Sequence, residues 1–257
     1  MTAKSILLFL LFSQGYVLLL APLGSGCGTK PQTQQTDSGY SYKQPHPDGT
    51  GKVYMSREIA HVMSAAGGSW LERTSRQEEE DAAAAIARMP LQNNSVVADI
   101  GAGTGYYTFR IAERVPSGKV YAVEVQDAFI SALQSRVKQT GLTNVTVIKG
   151  SETTTNLPPL SLDLAIMVDV YHELAYPREV LAAVYQSLKP NGRLLLLEYR
   201  GEDPSIPIKE LHKLTIAQAN RELKDNGFIP EPPQNFLPIQ HFLLYRKAVV
   251  PQGLEKQ

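Results

Sequence analysis

Val96-Val97-Ala98-Asp99-Ile100-Gly101-Ala102-Gly103-Thr104-Gly105 is the stretch on which the reading of this chain turns. Val96–Ile100 is a short apolar run, which reads as a buried strand. Glycine at 101 and 103 permits a tight turn and lets a ligand lie against bare main chain. Gly105 lets the next element, a helix predicted over Tyr106–Arg114, pack close to the strand, and the helix N-terminus offers free N–H groups. The dinucleotide fingerprint G-x-G-x-x-G would need its third glycine at 106, which is Tyr106. Asp99, two residues before the first glycine, would repel a pyrophosphate but suits the ammonium of an amino acid.

Working outward, strands and helices alternate. Lys119–Glu124 is the second predicted strand, and Asp127 starts a helix with Ile130, Leu133 and Val137 on one face and Gly141 at its end. Val145–Lys149 and Leu162–Val168 are the third and fourth strands. Pro177 opens a helix carrying Val180, Val184 and Leu188. Pro190-Asn191-Gly192 is a predicted turn into Arg193–Tyr199, whose four leucines suit a strand covered on both faces. Thr215 and Gln218 form a capping-box pattern, Gly227 stops that helix, and His241–Arg246 is the last strand. The pattern predicts an α/β, doubly wound, mostly parallel sheet with its ligand beyond the carboxyl ends of the strands. Glu124 then ends the second strand, where it can accept hydrogen bonds from both ribose hydroxyls of a nucleoside. A ligand with an adenosine and a cationic amino-acid tail fits the glycines, Asp99 and Glu124 together, and S-adenosylmethionine (SAM) is such a ligand.

Over roughly Asn94–Lys247 the chain resembles the class I SAM-dependent methyltransferases. The resemblance is carried by Asp99-x-Gly101-x-Gly103-x-Gly105, by Glu124, by Gly150-Ser151-Glu152, by Leu162–Asp169 and by the Lys189-Pro190-Asn191-Gly192-Arg193 turn. It implies a Rossmann-like, seven-stranded sheet with an antiparallel last strand beside a sixth near Phe228, where Pro230, Pro232 and Pro233 fit only an edge or a bulge. It also implies SAM as cofactor. Asp99, Gly101, Ala102, Gly103 and Gly105 would form the turn around its methionine part, with Glu124 on the ribose, Val125 on adenine, Glu152 near the adenine amino group, and Asp169 touching SAM. Family members often carry Asp where this chain has Ser151.

The acceptor should meet the methyl group beside Asp169-Val170-Tyr171-His172-Glu173. Asp169 and His172 are the catalytic candidates, His172 as a base if the acceptor arrives protonated. Glu198, Tyr199 and Arg200 end the fifth strand on the same rim. Arg200 is open to an anionic substrate or a surface ion pair, and His212 and Lys213 to the pocket or a solvated loop. Tyr54, Met55 and Trp70 are either a lid or core packing. The acid run Glu78–Asp81 reads as a solvated helix face. Two other functions stay in view: a different chemistry on this fold, such as an NAD-dependent oxidoreductase, and a non-catalytic nucleoside-binding module at the cell envelope.

The 257 residues carry 25 basic and 25 acidic side chains. That balance leaves no broad basic field for a phosphate backbone, so a small-molecule acceptor is expected and nucleic acid is not. The lone Cys27 excludes an internal disulfide framework and a thiolate metal cluster, and no metal ligands are assigned. Lys4, the apolar run Ile6–Leu20 and the small residues before Cys27 describe an export signal and resemble a bacterial lipobox. An uncleaved anchor and a misassigned start codon, which would leave the protein cytoplasmic, are the alternatives. The expected organisation is signal and lipobox at 1–27, a flexible linker at 28–50, an N-terminal helical segment at 51–93, the SAM domain at 94–247 and a tail at 248–257. Membrane contact is expected only through the N-terminal signal or lipid.

Overall fold

The computed structural model describes Gln34–Gln35 and Gly39–Ala248. The predicted signal and lipobox, and all but the first residue of the predicted tail, lie outside the described residues. In the described part four short strands, β1 (Gln34–Gln35), β2 (Tyr40–Tyr42), β3 (Gly49–Tyr54) and β4 (Arg57–Ala60), form an antiparallel sheet in that order. This corrects two expectations. Residues 40–42 and 49–50 are strand rather than flexible linker, and Ile59 lies in a strand rather than a helix. Ile59, Val62 and Met63 fall at helical spacing in the sequence, but that spacing is accidental. Ile59 is buried beside Tyr40 and Tyr54, whereas Val62 belongs to the loop beyond β4.

Three short helices follow: α1 (Gly68–Leu71), α2 (Arg76–Glu80) and α3 (Ala82–Arg88). Within the expected helical segment, the stretch Ser75–Met89 reads as one helix from its sequence but is broken at Asp81, which sits at φ 52° and caps α3 by accepting the Ala84 N–H at 3.2 Å. The acid run is a solvated face only in part: Glu78 is exposed and Glu79 partly so, but Glu80 is fully buried between Arg73 and Arg76.

The main sheet contains β5 (Val96–Ile100), β6 (Lys119–Glu124), β7 (Val145–Lys149), β8 (Leu162–Val168), β9 (Leu188–Tyr199), β10 (Phe228–Pro230) and β11 (Gln240–Lys247). Their spatial order is β10-β11-β9-β8-β5-β6-β7. The strands β5 to β9 are parallel, while β11 runs antiparallel to β9 and β10 antiparallel to β11. This is the Rossmann-like, doubly wound fold with an antiparallel edge. β10 pairs on one side only, which is where a strand ending in Pro230 can be tolerated. Helices α4 (Tyr106–Arg114), α5 (Asp127–Thr140), α6 (Pro177–Ser187) and α7 (Ile216–Asp225) complete the layers.

Alternation sorts the strands' side chains into two cores. Val97, Leu164, Ile166, Leu195 and Leu197 pack with α3, α4 and Leu133 of α5. Ala98, Ala165, Met167, Leu194 and Leu196 pack with α6 and α7. Four consecutive buried leucines thus serve both faces of the sheet. Pro190-Asn191-Gly192 does not reverse the chain. Leu162 pairs with Leu188 but Leu164 already pairs with Arg193, so the extra residues bulge out within β9. Strand order reverses at β5, whose neighbours are β6 and β8, and this places the ligand crevice above the ends of β5 and β8.

Candidate active site

The turn after β5 is the floor of a cavity of about 320 Å³, lined by Gly101, Gly103, Glu124, Val125, Glu152 and Asp169 among others. Gly101 has φ +73°, and a Cβ there would come within 2.6 Å of Val170. The chain therefore needs glycine at this point for both its conformation and its approach to the end of β8. The turn is anchored from two sides. Gly101 and Ala102 N–H donate to the Val123 carbonyl at 2.9 and 3.1 Å, and Gly103 N–H donates to Glu124 Oε2 at 2.9 Å. Glu124 Oε1 accepts the N–H groups of Val125 (2.7 Å) and Gln126 (3.0 Å). Its carboxylate is thereby fixed at the cavity wall. Val125 is 42% exposed, an apolar surface on the same wall.

Three of the expected cofactor residues stand behind this wall rather than on it. Gly105 and Ala102 do not line the cavity, and neither does Asp99. Asp99 is buried beneath the turn, where Thr108 Oγ1 donates to its Oδ2 at 2.6 Å. Burial pushes the Asp99 carboxyl up to about 6, against the pull of Thr108 and Arg76, with Glu124 adding to the rise. Gly105 is the left-handed cap of α4.

A second cavity, of about 590 Å³, adjoins the first; Val62, Met63, Leu71, Asp169 and Glu173 line both. Asp169 stands at their junction with φ +53°, a conformation tolerated by Asp at a cost of about 1–2 kcal/mol. Gln240 Nε2 donates to both of its carboxylate oxygens, at 3.0 and 2.9 Å. Burial, together with the carboxylates of Glu80 and Glu198, pushes Asp169 well above the usual carboxylate range. The segment Met63–Ala65 is strapped across this region. Gln126 donates to Met63 O and accepts from Ala65 N–H, and Met63 N–H donates to Glu173 Oε2.

His172 lies in the second cavity, 2% exposed. Its Nδ1 is 2.6 Å from Glu198 Oε2, and its Nε2 is 3.2 Å from His212 Nδ1. Burial alone would depress its pKa, but the Glu198 and Glu173 carboxylates outweigh it and hold His172 up at about 10. Glu173 is held down at about 2: burial opposes this, and hydrogen bonds to His172 and His212 overcome it. The two carboxylates favour the protonated imidazole. The expected role as a general base therefore does not follow from its surroundings. Glu198 is fully buried and its Oε1 accepts the N–H groups of Val170 and Tyr171.

The remaining rim residues separate. Arg200 is tied down by hydrogen bonds to Pro238 O, Asn235 Oδ1 and Leu237 O. Lys213 holds the carbonyls of Asp203 and Ile206, whereas His212 lines the second cavity. Tyr54 is core, and Trp70 is 46% exposed on the second cavity with Arg73 over its ring at 3.7 Å. Sequence reading gave no site role to Glu80, Arg76 and Gln240, and placed Glu173 on the rim without assigning it a function.

Over residues 98–194 the chain matches the sequence model of a methyltransferase domain family. It is 30% identical over 145 residues to the tRNA U34 carboxymethyltransferase of Desulfotalea psychrophila, covering 55% of this chain and 42% of that one. It is 28% identical over 114 residues to the demethylmenaquinone methyltransferase of Anoxybacillus flavithermus, covering 44% and 48%. The chain thus spans less than half the length of these curated relatives. Among solved structures, a SAM-dependent methyltransferase from Aquifex aeolicus superposes with a TM-score of 0.69 at 23% identity, over 73% of this chain and 100% of that one. That likeness establishes the fold, and the sequence match makes residues 98–194 similar to a methyltransferase domain.

Proposed function

We propose that the protein is a SAM-dependent methyltransferase acting on a small-molecule acceptor. The observation that carries this reading is the pair of adjoining cavities with Asp169 and Glu173 on their common wall. The first cavity fits SAM by its chemistry. Bare main chain at Gly101 and Gly103 accepts the methionine part, Glu124 offers carboxylate oxygens to the ribose, and Val125 and Glu152 flank the adenine. Asp99 supports the turn from beneath and adds negative potential toward a cation. Bound SAM supplies a methyl group already activated on a sulfonium. The protein's share is to align the acceptor and exclude water. The Met63–Ala65 strap closes over the junction, and Gln240 holds Asp169 toward it. A non-catalytic nucleoside binder would need only the first cavity.

One relative's name assigns it to tRNA, but the zero net charge of this chain favours a small acceptor over a polyanion. The N-terminal signal motif supports a place at the cell envelope, anchored through lipid on Cys27; palmitate labelling that survives C27S would remove that anchor. For the activity, calorimetry should show binding of SAM and S-adenosylhomocysteine and none of NAD. Glu124→Ala should weaken SAM binding by roughly 1–3 kcal/mol, from the loss of charged hydrogen bonds. Unchanged SAM affinity in E124A, or binding of NAD alone, would falsify the assignment.

A further inference from the structure

We infer that His172, Glu173 and His212 form a binding site for one divalent transition-metal ion on the wall of the second cavity. His172 and Glu173 come from the 3-10 turn Tyr171–Glu173 after β8, and His212 from the 3-10 turn Glu210–His212 between β9 and α7. Three ligand atoms face one another: His172 Nε2 and His212 Nδ1 at 3.2 Å, His212 Nδ1 and Glu173 Oε1 at 3.3 Å, and His172 Nε2 and Glu173 Oε1 at 3.7 Å. Ligands about 2.0–2.2 Å from a shared ion stand roughly 3.0–3.5 Å apart in tetrahedral or octahedral geometry. Two edges of the triangle fall in that range and the third, at 3.7 Å, is slightly longer, so a small closure of Glu173 toward His172 completes it.

The support behind the triangle is also of the kind metal sites use. Glu198, fully buried and fixed by two backbone N–H groups, accepts a hydrogen bond from His172 Nδ1–H and so directs Nε2 forward as the ligand nitrogen. Glu173 is held through its other oxygen by Met63 N–H, and Arg57 Nη1 donates to the His172 carbonyl. Two imidazoles and one carboxylate select ions such as Zn²⁺, Co²⁺, Mn²⁺ or Fe²⁺ over Mg²⁺ and Ca²⁺, which prefer an all-oxygen shell. The ion takes the place of the proton between the two imidazoles, and that proton goes to solvent. All three residues line the second cavity, so the remaining coordination positions open into it. Resting on the function proposed above, the acceptor is then a small molecule with an oxygen donor that binds the ion beside Asp169.

The test is titration of the full chain, stripped with EDTA, with Co²⁺ followed by its visible spectrum, and with Zn²⁺ by calorimetry. One Co²⁺ per chain is expected, with the bands of a nitrogen- and oxygen-ligated ion, displaced by Zn²⁺. His212 is partly exposed, so H212A should fold. H212A and E173Q should each weaken binding at least tenfold, and H241A, outside the cluster, should leave it unchanged. Absence of stoichiometric binding, or binding indifferent to both H212A and E173Q, overturns the site. SAM binding to the stripped chain, measured separately, keeps the two proposals apart. SAM bound without Co²⁺ uptake sinks the metal site alone, and Co²⁺ uptake without SAM binding sinks only the transferase.

Discussion

Asp99 shows how burial of a single acid beneath a turn acts on the stability of the fold. Its carboxyl is held near 6, against a usual 3.8, chiefly by burial. The folded state therefore keeps its proton between about pH 4 and 6 while the unfolded chain has lost it. With more protons bound to the folded state, stability falls as pH rises through that window. Above pH 6 the ionised, buried group costs on the order of 3 kcal/mol. Asp99→Asn leaves an oxygen for Thr108 to donate to but cannot ionise. Urea unfolding of D99N should lack the wild-type loss between pH 4 and 6, and D99N should be the more stable protein at pH 8. A parallel pH dependence in both proteins would show that Asp99 is not the group responsible. At this scale the sequence was informative wherever a residue's chemistry is local. Glu124 and the glycine turn touch each other across 21 positions in one βαβ unit. Glu80, by contrast, takes a hydrogen bond from Tyr199 across 119 positions, and Gln240 reaches Asp169 across 71. No spacing rule connects such pairs, so a buried acid looks like surface and Gln240 carries no signal at all in the sequence.

Elements were legible when their punctuation was conventional. The strands β5, β6, β7 and β8 and the helix α4 have the limits that apolar runs and glycines give them. The hairpin β3–β4 was hidden because its two-residue turn is Met55-Ser56, both at positive φ (46° and 74°), where Asn-Gly or Gly-Gly would announce it. Its apolar residues then happened to match a helical period. Gly105 marks the opposite case, a turn whose residue is dictated by the elements around it. It has φ +85°, and a Cβ would lie 2.4 Å from Phe109 Cε2 of α4 and 2.8 Å from Leu133 Cδ2 of α5. Gly141, the C-cap of α5, has φ +68° with nothing within 4 Å. Substitution by alanine separates conformation from packing. G141A should cost about 1 kcal/mol, the left-handed penalty alone. G105A adds overpacking against two helices and should cost roughly 2–5 kcal/mol in total. Equal losses in denaturant midpoint would mean that α4 and α5 yield freely at this point, and the close-approach reading of Gly105 would fail.

On the scale of the molecule, the small sheet at 39–60 is bound into the main domain by buried polar contacts. Arg57 makes a two-point ion pair with Glu222 of α7, and Lys52 donates to Ala175 O with its ammonium over the Tyr176 ring at 3.2 Å. Those ties carry the following segment, 61–71, across the mouths of both cavities, which explains why residues so far from the glycine turn line the site. No such docking is visible in a polar, Gly- and Pro-rich stretch, because its partners lie more than 100 positions away. The arrangement also supplies a probe. Trp70 is the chain's one tryptophan, and it borders the second cavity but not the first. Excited at the indole, the protein should change its emission little when SAM or S-adenosylhomocysteine fills the first cavity. It should shift or quench when a small acceptor enters the second, because the ring and the Arg73 guanidinium stacked on it then lose water. Screening oxygen-donor small molecules by Trp70 emission, with W70F as the silent control, therefore reads acceptor occupancy directly. If SAM alone produced the full change and no acceptor added to it, the two cavities would be acting as one compartment, and the division of donor and acceptor between them would have to be abandoned.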